Sequence, residues 1–136
     1  MTASDPRVQS VIDLLSRVKA GWPAARWEWD GRFGCALSTV GGTDEAKARE
    51  ALQAQLPSAW TGAKMGEAPE AVRQICGSTG GLRGGQLAFS AELPGGTIAY
   101  CLWWPWGGGG NVSARIGVVA SDGADLDAAV KTAFGL

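Results

Sequence analysis

The chain has 136 residues, 46% of them hydrophobic and 18% charged, and its twelve basic and thirteen acidic side chains leave a formal net charge of -1. Residues 1–136 match the size of one ordinary domain, and a body of that size is expected to bury a self-sufficient core without metal or disulfides. Histidine is absent, which removes the commonest general base, the commonest metal ligand and the usual sensor of near-neutral pH. The basic residues are scattered singly from Arg7 to Lys131, so the positive excess that a nucleic-acid binder uses is missing.

The stretch from Met1 to Ala20 is broken by Asp5, Arg7, Asp13, Arg17 and Lys19 and has no continuous apolar core of a signal peptide. No apolar run approaches the ~20 residues of a membrane-spanning helix. The expectation is a cytoplasmic protein that does not contact a membrane. Cys35, Cys76 and Cys101 lie far apart, form no CxxC pair and are odd in number, which reads as three small buried apolar residues with no metal site.

Ser4-Asp5-Pro6 is a helix start, and Val8, Val11, Ile12, Leu15 and Val18 follow on one face until Gly21 and Trp22-Pro23 stop the helix. Alternation from Arg26 to Asp30 puts Trp27 and Trp29 on one side of a strand and Arg26, Glu28 and Asp30 on the other. Asp30-Gly31 then favours a tight hairpin turn. The return strand is Phe33 to Val40, with Phe33, Cys35 and Leu37 on the side expected to lie under the first helix. Thr43 is the predicted cap of a second helix that runs through Ala48, Ala51, Leu52 and Leu56 to Pro57. The segment Ser58 to Gly66 stays open between a loop and an edge strand around Trp60. Pro69 opens a short helix with Val72, Ile75 and Cys76 on one side, ended by Gly77.

The second half differs in kind. Between Gly77 and Ser121 only Arg83, Glu92 and Arg115 are charged, whereas the first 76 residues carry nine basic and nine acidic side chains. Gln86 to Leu93, Thr97 to Trp104 and Val112 to Ala120 read as an antiparallel meander, joined by Pro94-Gly95-Gly96 and by the run Gly107 to Gly110. The middle strand is apolar on both faces, as in a central strand that is covered on both sides or touches a partner. A last helix follows Ser121-Asp122, buries Leu126, Ala129, Val130, Ala133 and Phe134, and ends at Gly135.

The predicted class is α+β: one mainly antiparallel sheet of about five strands, a hairpin plus a three-stranded meander, with helices packed on it in the order α-β-β-α-(β-α)-β-β-β-α. Without the segment Ser58 to Cys76 this element order is similar to that of the roadblock and longin scaffolds and, more loosely, of profilin. The resemblance implies a helix-flanked sheet and carries no function with it.

Three constellations remain. The glycine-rich stretch Gly77 to Gly85, with Arg83, could cradle an anion through backbone N–H groups, but it follows a helix and enters a strand, the reverse of a phosphate loop. Glu28 and Asp30 sit about 7 Å apart on one strand face, beside Arg26 and Arg32, which reads as a solvated, salt-bridged surface. Trp103-Trp104-Pro105-Trp106 is the least ordinary feature. Successive tryptophans on a strand face opposite ways, so one enters the core while another projects, and exposed aromatics mark binding hot spots. The sequence therefore reads as a non-enzymatic protein-interaction module (adaptor, immunity-type inhibitor or chaperone-like) that binds another protein or a second copy of itself. Its surface would be the apolar second-half sheet and the tryptophan loop, through Tyr100, Trp103, Trp104, Trp106, Arg83 and Asn111, with no cofactor and no catalytic residue. The alternative is a small-molecule or anion binder using Gly77 to Gly85.

Overall fold

Asp5 starts the first helix by accepting the Arg7 N–H on its carboxylate at 2.9 Å, with Pro6 at the first helical position. That bond satisfies one of the donors that every helix start leaves without a partner. The computed structural model describes residues 5–24, 26–106 and 110–136; Ser4 of the helix start and Gly107, Gly108 and Gly109 of the glycine run lie outside them. Helix α1, Pro6–Gly21, buries Val11, Leu14, Leu15 and Val18 on one side, and each such side chain contributes about 1.5–3 kcal/mol when fully withdrawn from water.

Strands β1 (Glu28–Asp30) and β2 (Cys35–Gly41) form the first hairpin. Its turn is longer than the two residues expected. The Asp30 carboxylate draws in the Arg32 and Phe33 N–H groups at 3.1 and 3.4 Å, and the loop closes with Gly34 N–H on the Asp30 carbonyl at 2.8 Å. Gly34 sits at φ +66, a conformation that side chains disfavour. The orientation of β2 is also opposite to expectation. Ala36, Ser38 and Val40 are buried, with Ala36 and Val40 packed in the core under the helices, while Cys35 and Leu37 point to the other face. The reason is volume: the small Ala36 and Ser38 leave room for Trp22 and Trp27, whose rings pack 5.0 Å apart, and Ser38 Oγ accepts the Trp22 Nε1–H at 2.9 Å.

Helix α2, Glu45–Gln55, is preceded by Asp44, not capped by Thr43; Asp44 is itself helical and makes no side-chain cap bond, so a backbone turn, Asp44 N–H to the Gly41 carbonyl at 3.0 Å, leads into the helix. The open segment contains strand β3, Ser58–Trp60, followed by a 3₁₀ turn at Met65–Glu67 and helix α3, Glu70–Ser78, which runs one residue past Gly77. Strands β4 (Leu87–Leu93), β5 (Thr97–Pro105) and β6 (Asn111–Ala120) make the meander, and helix α4, Asp127–Phe134, ends at Gly135. Among the described residues there are four α-helices and one antiparallel sheet of six strands in the order β1-β2-β6-β5-β4-β3. The class is α+β as predicted, with β3 as the additional strand.

The sheet divides two unequal layers. On one face α1, α2 and α4 cover a core that includes Phe89, Ala99, Cys101, Trp103, Ala114 and Ile116. On the other face α3 lies mainly over β4 and β5, packing Val72 and Cys76 over Ala88, Tyr100 and Leu102. The central strand β5 is thus covered on both sides by the chain's own helices. Tyr100 lies across Gly117 on β6, where an added Cβ would come within 2.6 Å of the phenol oxygen, so glycine there is what lets the ring lie flat.

Candidate interaction site

Strand alternation separates the tryptophans of the tetrad. Trp103, 1% exposed, points into the helix-covered core and meets Phe89 edge-on at 6.1 Å. Trp104 points to the other face and is partly exposed. Trp106, beyond Pro105, is 50% exposed and one of two large hydrophobic side chains in that state among the described residues, the other being Leu136 near the chain end. Trp106 is nonetheless fixed in place. Its backbone N–H donates to the Asn111 carbonyl at 2.9 Å, and its Nε1–H to the buried Ser113 Oγ at 2.7 Å. The indole therefore presents an apolar face to solvent while its polar atom is already satisfied.

Beside it lies a stack on the sheet half that no helix covers. The Arg115 guanidinium sits 4.6 Å from the Trp104 ring centroid and 5.5 Å from that of Phe33, and the two rings meet edge-on at 6.1 Å. Arg32 stacks on the outer side of Phe33 at 4.4 Å. Arg115 Nε donates to the Asp30 carboxylate at 3.1 Å, with both side chains largely buried. Burial pushes the Asp30 pKa up, but the bonds from Arg115 and from the Phe33 and Arg32 N–H groups outweigh it and hold the carboxyl below its ordinary value. Asp30 is thus an ionised structural anchor whose partner is Arg115, not the neighbouring Arg26 or Arg32 of the sequence reading. Glu28 stays exposed, so the two carboxylates share no cleft.

The loop Gly77 to Gly85 reaches the same end of the sheet, with the Cβ position of Gly85 3.9 Å from Pro105. A hollow of about 260 Å³ there is lined by Thr79, Gly80, Gly81, Arg83, Gln86 and Trp104. Its backbone donors are engaged, however. Thr79, Gly80 and Gly81 N–H cap the carbonyls of Ile75, Gly77 and Cys76 at the end of α3, and Arg83 N–H bonds Gln86 Oε1 at 2.8 Å. The loop closes the negative end of a helix, a setting that disfavours anions.

Of the residues singled out from the sequence, Trp104, Trp106, Arg83 and Asn111 gather at this end, whereas Trp103 and Tyr100 are interior. Phe33, Arg115 and Ser113 were missed as members of the site; the one available signal was that a lone Arg in an apolar strand needs a partner. The three cysteines are buried and unpaired. Burial pushes the Cys35 thiol up to about 12, raises that of Cys76 and puts that of Cys101 well above the ordinary range, so all three stay protonated near neutrality. Among the described residues no group of three His, Cys, Asp or Glu side chains could hold a metal, and no helix is long and apolar enough to cross a membrane. No family model, curated protein or solved structure matches the chain.

Proposed function

We propose that this chain is a non-enzymatic, cytoplasmic interaction module that docks another protein, or a second copy of itself, on the end of the sheet formed by Trp106, Asn111 and the Trp104–Arg115–Phe33 stack. The observation that carries this reading is the half-exposed Trp106 pinned by Ser113. A large ring held in one orientation loses little conformational freedom on contact, which is what makes tryptophan a frequent hot spot. The parts of β4 and β5 that pack under the chain's own helices play no part in docking, since those helices already occupy them. An anion at Gly77 to Gly85 is the weaker reading, because the Thr79, Gly80 and Gly81 N–H groups already cap α3 and the Arg83 N–H already bonds Gln86.

Affinity capture from native extract tests the proposal. A partner, or a second copy, retained stoichiometrically by the natural chain should be lost with Trp106→Ala and kept with Leu136→Ala. Identical retention by all three, or a chain that stays monomeric and captures nothing, would overturn it.

A further inference from the structure

Strand β3 covers only part of the outer edge of β4. Its three residues pair with Ala88, Phe89 and Ser90, and among the described residues no strand lies on that side of Ala91, Glu92 and Leu93. The ladder fixes which backbone groups are left over. Ser121 N–H donates to the Gly96 carbonyl and Trp106 N–H to the Asn111 carbonyl, both at 2.9 Å. With the register Ile98↔Val119 to Trp104↔Ser113 between these bonds, the even-numbered residues of β5 exchange hydrogen bonds with β6. The odd-numbered ones bond β4 at Leu93, Ala91 and Phe89, so the N–H and C=O of Ala88, Ser90 and Glu92 point outward. Trp60 and Ser58 take the first two pairs. Among the described residues the Glu92 backbone has no such partner.

A cleft of about 720 Å³ opens at that point, walled by Leu14, Arg17 and Gln55 from one helical layer and by Glu67, Ala68 and Pro69 from the other. It lies in the plane of the sheet, where a further strand would run. The chain's own β3 does not extend into it: Pro57 interrupts the strand, and the Leu56 N–H is bound to the Leu52 carbonyl at 2.7 Å. A slot of this shape, with an unpaired N–H and C=O on its floor, is complementary to an extended backbone. Charge narrows the choice further. The Glu92 side chain shares a face with Ile98, on the side of Glu67, and neither carboxylate makes an ion pair among the described residues, while Arg17 on the opposite wall already bonds Gln55 at 2.8 Å.

We propose that this cleft accepts an extended peptide segment of another protein, which adds to the edge of β4, exchanges both backbone hydrogen bonds with Glu92 and places a Lys or Arg against Glu92 and Glu67. The site is separate from the Trp106 surface and stands or falls independently of it.

The test titrates acetyl-Thr-Val-Lys-Val-Thr-amide into the ¹⁵N-labelled chain and reads amide shifts and hydrogen exchange. The expected result is a shift centred on Ser90 to Glu92, with slowed exchange of the Glu92 N–H. The same peptide with Glu in place of Lys should bind about fivefold more weakly, N-methylation of its central residue should abolish binding, and Glu92→Lys should reverse the charge preference. Trp106→Ala should leave all of this unchanged. No shift at Glu92 with millimolar peptide, equal binding of the N-methylated peptide, or an unreversed preference in a Glu92→Lys chain whose β5 and β6 amides stay native would each overturn the proposal.

Discussion

The two faces of the sheet use the same kind of residue for different ends. Under α1, α2 and α4, small side chains such as Ala36, Ala99 and Ala114 alternate with Trp22, Trp27 and Trp103, and the indoles fill volume that the alanines leave. On the other face α3 lies mainly over β4 and β5, and the end away from it is closed by Phe33, Arg115 and Trp104 stacked on one another, with Trp106 left half in water. Only Trp104 and Pro105 separate a tryptophan that holds the fold together from one that does not. A tryptophan count therefore says little until each ring is assigned to a face.

The sharpest way to break this contrast is to truncate one ring on each side. Trp103→Ala should cost about 3–5 kcal/mol in chemical denaturation, whereas Trp106→Ala should cost under about 1 kcal/mol, since half of its surface is already exposed. Equal losses would mean that the two faces are not distinct. Next in size is the ion pair of the open face. Arg115→Ala leaves Asp30 largely buried without its partner and should cost about 2–3 kcal/mol, with the Phe33 and Trp104 ring resonances losing their mutual shift. Gly117→Ala, which forces the Tyr100 ring off β6, should cost about 1–3 kcal/mol.

Smaller effects follow from titration. Asp30 has a depressed pKa in the folded chain, so the stability it contributes is present above its unfolded value, near 4, and is lost as pH falls through the lower folded value. Denaturant midpoints should therefore drop below about pH 4, and less so in Asp30→Asn, which should already be weaker at neutral pH. On both sides of the sheet, the raised pKa values of Cys35, Cys76 and Cys101 predict that iodoacetamide labels none of them at neutral pH until the chain unfolds, when all three react together. Labelling of Cys101 in the native chain would show that the helix-covered face opens.

Much of the fold was legible because it rests on local periodicity: the faces of α1 and α4, the meander and its turns all lie where apolar spacing and glycine place them. The errors share a physical cause. The hairpin turn, the facing of β2 and the start of α2 depend on partners distant in sequence or on backbone geometry, as when Trp22 claims Ser38 or Asp30 gathers the N–H groups after it. The site was half legible. The Trp103 to Trp106 cluster announced itself, but Arg115 finds Asp30 across 85 residues, and no local pattern signals such a pairing. The two stretches weighed separately, the tryptophan tetrad and the loop Gly77 to Gly85, turn out to be neighbours at one end of the sheet.

The central claim, that the fixed ring at position 106 is where another polypeptide docks, is tested most directly by placing a benzophenone photo-crosslinker beside it, at the exposed Arg83 across the hollow from Trp104, and, as a control, at the exposed Glu50 on α2, in otherwise identical chains that keep Trp106. Irradiation in native extract should yield one dominant protein adduct from position 83 and none from position 50. Adducts of equal yield from both, or from neither, would contradict the claim.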